Sequence, residues 1–149
     1  MSSASLSIRS DDIDILLVDD SASDAELTLY ALRRLVSRKR TLWLNDSQLA
    51  LEYLLCNGRY ECRAFTLPLL VMTDIHMPHV SGLELLTRIR AEPRLRMLPV
   101  VVVSACADPD KMRECSRLGA DDYVAKIMTY ELFAEQVALV ARHWLNASI

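Results

Sequence analysis

Residues 13–20 read Ile-Asp-Ile-Leu-Leu-Val-Asp-Asp, a short apolar run that ends in two acids. A continuous run of this length, rich in β-branched residues and leucine, is typical of a strand buried on both faces. Residues 41–44, 69–73, 100–103 and 122–125 give four further short strands, and a helical pattern follows each strand. Five strands that alternate with five helices predict an α/β fold, with a doubly wound parallel sheet between two helical layers.

Capping motifs set the expected helix starts. Ser23-x-x-Glu26 and Ser81-x-x-Glu84 are capping boxes, which predict that the first and third helices begin there. The second helix is expected to end before Gly58. Apolar residues at helical spacing predict the buried face of the first helix, at Leu27, Tyr30, Ala31 and Leu35.

Composition limits the classes of protein that remain. The chain has 149 residues and a net charge of −3, which favours one domain and disfavours a nucleic-acid surface. It contains no uncharged apolar run of the roughly 18 residues that a membrane span needs. The four cysteines form no Cys-x-x-Cys pair, so we expect reduced thiols in a cytoplasmic protein.

Chemically active side chains follow four of the strands. Asp19 and Asp20 come after the first strand, Asp74 after the third, Ser104 after the fourth and Lys126 after the fifth. Parallel strands end at one edge of the sheet, so these groups should meet. Carboxylates with room for water suit Mg²⁺, and the ammonium adds positive charge, so the pocket suits a phosphoryl group. The central acid, Asp74, is then the expected nucleophile for an aspartyl phosphate.

Four motifs occur in an order and spacing that resemble a known family. They are residues 15–20, residues 73–78 with Gly82, residues 101–105 and residues 119–126. The chain resembles the CheY-like receiver domain of bacterial two-component response regulators. This resemblance implies a flavodoxin-like sheet with strand order 2-1-3-4-5. It also implies a flexible N-terminus at residues 1–10, a single receiver domain at residues 11–149 and no output domain.

The resemblance assigns roles to the acidic residues. Asp74 looks like the phosphoacceptor, which takes its phosphoryl group from the phosphohistidine of a histidine kinase. Asp19 and Asp20 look like the acidic pair that holds Mg²⁺, with Asp20 as the direct ligand and Asp19 acting partly through water. Asp74 and the backbone carbonyl of His76 would complete the protein ligands.

Three further residues match positions that respond to phosphorylation. Ser104 stands where the family has a hydroxyl that hydrogen-bonds the phosphoryl oxygen, and Lys126 where it has the lysine that pairs with the same group. Tyr123 looks like the aromatic switch residue. Ile127 departs from the family, which usually has proline there, so the Lys126–Ile127 bond is expected to be trans.

A narrower resemblance concerns residues 53–60, the missing proline and residues 143–145. They look like the small regulators that partner phytochrome-type histidine kinases, which tend to stand alone and often dimerise. The expected function is therefore a phosphoacceptor signalling protein, not an enzyme. Its expected partners are a histidine kinase, such as a bacteriophytochrome, a downstream or phosphotransfer protein and a second copy of the chain, with no nucleic acid or membrane partner.

Two alternatives come from other classes of protein. A Mg²⁺-dependent phosphatase also uses an aspartyl nucleophile. Such enzymes resemble one another in an Asp-x-Asp motif whose second acid is the general acid and base, but His76 occupies that position here. A flavin-binding module of similar topology needs a phosphate-cradling loop, and the loop after the first strand is acidic and lacks glycine.

Overall fold

The computed structural model describes residues 13–35, 40–126 and 129–147, which contain five strands and five α-helices. The strands are β1 Ile15–Val18, β2 Thr41–Leu44, β3 Leu70–Thr73, β4 Val100–Ser104 and β5 Asp122–Ala125. The helices are α1 Ala22–Leu35, α2 Ser47–Leu55, α3 Gly82–Ala91, α4 Pro109–Arg117 and α5 Tyr130–Ala147. Short 3₁₀ turns occur at Gly58–Tyr60 and Pro93–Leu95.

The strands form one parallel sheet in the order β2-β1-β3-β4-β5. The predicted fold class and strand order are therefore confirmed. All five strands point the same way, so their carboxyl ends lie along one edge of the sheet. The chain order reverses beside β1, because β2 and β3 pair on its two sides.

Alternate residues of β1 face opposite sides of the sheet. Ile15 and Leu17 pack in one core with residues of α1 and α5. Leu16 and Val18 face the opposite core, which α2 and α3 cover. Because both faces of the central strands β1, β3 and β4 are covered, nearly every position in them is apolar, which explains the continuous runs in the sequence.

The first helix begins differently from the prediction. The Oγ atom of Ser21 accepts the backbone N–H of Asp24 at 3.3 Å, so Ser21 takes the capping position that we had assigned to Ser23. The predicted buried face is partly confirmed. Ala31 is buried as predicted, whereas Leu27 and Tyr30 are about half exposed, and Ala25 and Leu32 complete the buried face.

The ends of other helices agree more closely with the sequence. The Oγ atom of Ser81 accepts the N–H of Glu84 at 3.2 Å, as the capping motif predicts. The second helix ends at Leu55, before Gly58 as predicted; its left-handed cap is Cys56, with a φ of 57°, and Gly58 begins a 3₁₀ turn. Within the described ranges, no helix combines the length and apolar character needed to cross a bilayer.

Three predictions lie outside what the structure describes. They are the flexibility of residues 1–10, the burial of the Leu35 side chain and the trans bond between Lys126 and Ile127.

Candidate functional site

The carboxyl ends of the strands bring the predicted residues to one edge of the sheet. Asp19 directly follows β1, Asp74 follows β3, Ser104 is the last residue of β4 and Lys126 follows β5. Asp19, Asp74 and Ser104 are all buried. Burial of carboxylates requires compensating charge and hydrogen bonds, and the surrounding contacts supply both.

The ammonium of Lys126 lies among three carboxylates. Its Nζ atom is 2.8 Å from Oδ2 of Asp19, 3.1 Å from Oδ2 of Asp24 and 3.5 Å from Oδ2 of Asp74. Only 9% of the lysine side chain is exposed. Lys126 therefore joins the ends of β1, β3 and β5 to the first turn of α1.

Sequence reasoning missed Asp24. The signal that identifies it is its place in the first turn of the helix that directly follows the acidic end of β1. Either serine cap, Ser21 or Ser23, leaves Asp24 in the first turn, so the sequence already placed this carboxylate near Asp19.

The electrostatics of the cluster are uneven. Burial raises the pKa of Asp19, although the hydrogen bonds from Lys126 and from the N–H of Ser21 oppose that rise. Burial lowers the pKa of Lys126, but the hydrogen bond and charge of Asp19 and the charge of Asp74 raise it above its ordinary value. The cluster has three carboxylates and one ammonium, so a bound cation would offset its remaining negative charge.

Asp74 is held firmly by its own backbone surroundings. Its Oδ1 atom accepts the N–H of Ile75 at 2.7 Å, which leaves Oδ2 on the side of Lys126. Its backbone carbonyl accepts the hydroxyl of Thr73 at 2.9 Å. A Cβ atom on Gly82 would lie only 1.8 Å from that carbonyl oxygen, so the start of α3 can approach Asp74 only because residue 82 is glycine.

Ser104 and Tyr123 meet on the other side of the pocket. Oγ of Ser104 accepts the N–H of Cys106 at 3.2 Å, and the hydroxyl of Tyr123 donates to the carbonyl of Cys106. Burial raises the pKa of Tyr123, while its hydrogen bond with Ser104 lowers it. Both side chains therefore hold the loop between β4 and α4.

Asp20 lies outside the buried cluster, because its side chain is exposed. The side chain of His76 is also exposed, but the prediction for this residue concerns its backbone carbonyl. Within residues 13–35, 40–126 and 129–147, the acids that could share a metal ion are Asp19, Asp24 and Asp74, whose ligand atoms lie within 4.8 Å of one another. Carboxylate oxygens at this spacing fit a hard divalent cation.

Comparison with known families agrees with this geometry. Residues 15–138 match the response regulator receiver domain, which is more than half of the chain. The chain belongs to this family. The receiver domain is 33% identical over 132 residues to the probable methanogenesis regulatory protein FilR2 of Methanothrix harundinacea, covering 89% of this chain and 83% of FilR2. It is 32% identical to the chemotaxis protein CheY of Pseudomonas aeruginosa, over 83% of this chain and 91% of CheY.

Solved structures of response regulators have the same fold as this receiver domain. The phosphorylated cyanobacterial phytochrome response regulator RcpA is 27% identical with a TM-score of 0.80, over 91% of this chain and 95% of RcpA. The Mn²⁺-bound form of the response regulator Rcp1 is 26% identical with a TM-score of 0.76, over 90% and 95%. The narrower resemblance to phytochrome-associated regulators is thus confirmed as a structural likeness.

Proposed function

We propose that this receiver domain is a cytoplasmic signalling protein that accepts a phosphoryl group on Asp74 from the phosphohistidine of a histidine kinase. The observation that carries the proposal is the position of Lys126, whose ammonium lies between Asp74 and Asp19 at the carboxyl edge of the sheet. A buried carboxylate beside a fixed cation suits attack on an anionic phosphoryl group.

The transfer step forms one bond and breaks one bond. An Oδ atom of Asp74 forms a bond to phosphorus while the bond from phosphorus to the imidazole nitrogen breaks. The electron pair of the broken bond stays on that nitrogen. Lys126 then faces the new phosphoryl oxygens and offsets part of their charge.

We also propose that Mg²⁺ binds to Asp19 and Asp74, with Asp20 and the carbonyl of His76 as further ligands. When bound, the ion supplies positive charge to both the acids and the phosphoryl oxygens. The proposal is supported by the three clustered carboxylates and by the Mn²⁺-bound form of the relative Rcp1. Asp24 extends the set of acids that face the same space.

Phosphorylation is expected to change the surface through Ser104 and Tyr123. A phosphoryl oxygen on Asp74 can accept the hydroxyl proton of Ser104, whose Oγ accepts the N–H of Cys106. Movement of Ser104 toward the phosphoryl group would pull on Cys106, which also accepts the hydroxyl of Tyr123, and would bias the loop before α4 toward a second arrangement. That surface would then signal to a downstream protein or pass the phosphoryl group to a phosphotransfer partner.

The proposed kinase is of the phytochrome type. This assignment is supported by the likeness to RcpA and to the bacteriophytochrome response regulator RtBRR, which is 31% identical with a TM-score of 0.75. Phosphotransfer profiling against the histidine kinases of the host tests this assignment. Fastest transfer from a kinase that has no phytochrome sensory domain would contradict the assignment. A homodimer is proposed from the same likeness, and sizing the protein with and without beryllofluoride tests that.

The direct test of the phosphoacceptor role is labelling with acetyl phosphate, with and without Mg²⁺. We expect one phosphoryl group per chain in the presence of Mg²⁺ and none in Asp74→Asn, which should remain folded by circular dichroism. Turnover of p-nitrophenyl phosphate would indicate the phosphatase alternative. Retained labelling of Asp74→Asn would refute the assignment of the nucleophile.

A further inference from the structure

Asp24 holds a fixed position beside the pocket. Its backbone N–H is bonded to Oγ of Ser21 at 3.3 Å, and its carbonyl accepts the hydroxyl of Thr28 at 3.2 Å. Thr28 is fully buried, so the first turn of α1 cannot rotate freely. The carboxylate of Asp24 is therefore presented to Lys126, which lies 102 residues further along the chain.

The three partners of Lys126 differ in exposure. The side chain of Asp19 is 3% exposed and that of Asp74 is 11% exposed, whereas 41% of the Asp24 side chain faces solvent. A lysine ammonium has three donors, and the three carboxylates occupy them. Asp24 is thus the partner that can be released to water at the lowest cost, because its side chain is the most exposed of the three.

We propose that Asp24 is a positioning residue that holds the ammonium of Lys126 in the unphosphorylated protein and competes with the phosphoryl group for it. The inference rests on the proposed function, since it assumes that Lys126 pairs with a phosphoryl group on Asp74. Asp24 then slows phosphoryl uptake, first by occupying one donor of Lys126 and second by adding negative charge where an anion must enter.

The first experiment compares charge removal at two positions on α1. Asp24→Asn is compared with Glu26→Gln, since Glu26 is exposed and loses the same charge from the same helix. The probe is acetyl phosphate at saturating Mg²⁺: Oδ of Asp74 bonds to phosphorus, the phosphorus–oxygen bond to acetate breaks, and acetate leaves with the electron pair. We expect Asp24→Asn to raise the initial labelling rate roughly two- to fivefold, and Glu26→Gln to leave it within about 1.5-fold.

Two further variants separate positioning from a structural role. Asp24→Glu retains a carboxylate that can reach the ammonium, so it should restore the slow rate. In a Lys126→Met background, Asp24→Asn should change the residual rate by less than about 1.5-fold, because the partner through which it acts is gone. A purely structural role for Asp24 would not raise the rate in the first place.

Each outcome bears on the proposal. Equal rates for Asp24→Asn and Glu26→Gln, a lower rate for Asp24→Asn, or the same increase in the Lys126→Met background would overturn it. If wild type takes no label, the proposed function fails and the competition fails with it. If wild type is labelled and Asp24→Asn is no faster, only the role of Asp24 fails.

Discussion

Replacing Gly82 by alanine should damage the site through backbone contact alone. The new Cβ would lie 1.8 Å from the carbonyl oxygen of Asp74 and 2.8 Å from its carbonyl carbon. Side-chain Cβ atoms do not approach other atoms closer than 3.0 Å, so the start of α3 and Asp74 must separate by at least about 1.2 Å. Both partners are backbone, so no rotamer change relieves the contact.

Gly82→Ala should lower both the free energy of unfolding and the rate of phosphorylation. Overpacking of this kind lowers the free energy of unfolding by about 1–3 kcal/mol. A displacement of about 1 Å at a reacting group reduces a rate by about 100-fold, and Asp74 is the proposed phosphoacceptor. Urea unfolding measures the first effect. Acetyl phosphate labelling, under conditions where the variant is fully folded, measures the second.

Gly58→Ala is the matched control for this variant. Gly58 has a φ of +53°, and an added Cβ there meets only the flexible side chain of Glu52. We expect it to lower stability by about 1–2 kcal/mol, because left-handed backbone disfavours alanine. Its labelling rate should stay within about twofold of wild type, since it lies away from the site. Wild-type stability and labelling in Gly82→Ala would refute the reasoning.

Three other predictions concern different parts of the molecule. Arg90→Ala should lower the free energy of unfolding in urea by about 2–4 kcal/mol, because its guanidinium pairs with Asp121 and donates to three backbone carbonyls in two loops; a loss below 0.5 kcal/mol would contradict this. Tyr123→Phe removes the donor to the carbonyl of Cys106, so amide exchange in the loop after β4 should become faster, and an unchanged exchange rate would count against that anchor. Because burial raises the pKa of Asp19, the folded protein binds that proton more tightly than the unfolded chain, and its contribution to stability falls as the pH rises above the unfolded value of about 3.8. Asp19→Asn should therefore gain less stability than wild type on acidification from pH 7 toward pH 4 in EDTA; identical pH profiles of stability would be evidence against the raised pKa.

The sheet could be predicted because short local sequence patterns mark its strands. The strand at Val100–Ser104 is buried on both faces, so every position is apolar until Ser104, and the run can be recognised without knowledge of its neighbours. The carboxyl edge follows from parallel strand direction alone. For that reason Asp19, Asp74, Ser104 and Lys126 were correctly expected to lie at one edge.

The parts that were not predictable depend on helix phase and side-chain reach. Two serines two residues apart give nearly equal capping signals, and Ser21 rather than Ser23 caps α1. Which apolar residues of α1 are buried depends on how the helix packs on the sheet, so Leu27 is exposed while Ala25 and Leu32 are buried. The sequence places Asp24 in the first turn of α1, but no local pattern pairs it with a lysine 102 residues away.

The central claim is that Asp74 is the phosphoacceptor, and locating the phosphoryl group by mass tests it most directly. Reduction of the acetyl phosphate-labelled protein with borohydride converts an aspartyl phosphate to homoserine, which peptide mass spectrometry identifies. We predict homoserine at position 74 alone, and none in Asp74→Asn. Homoserine at Asp19, Asp20 or Asp24, or an unmodified Asp74 in labelled protein, would contradict the account.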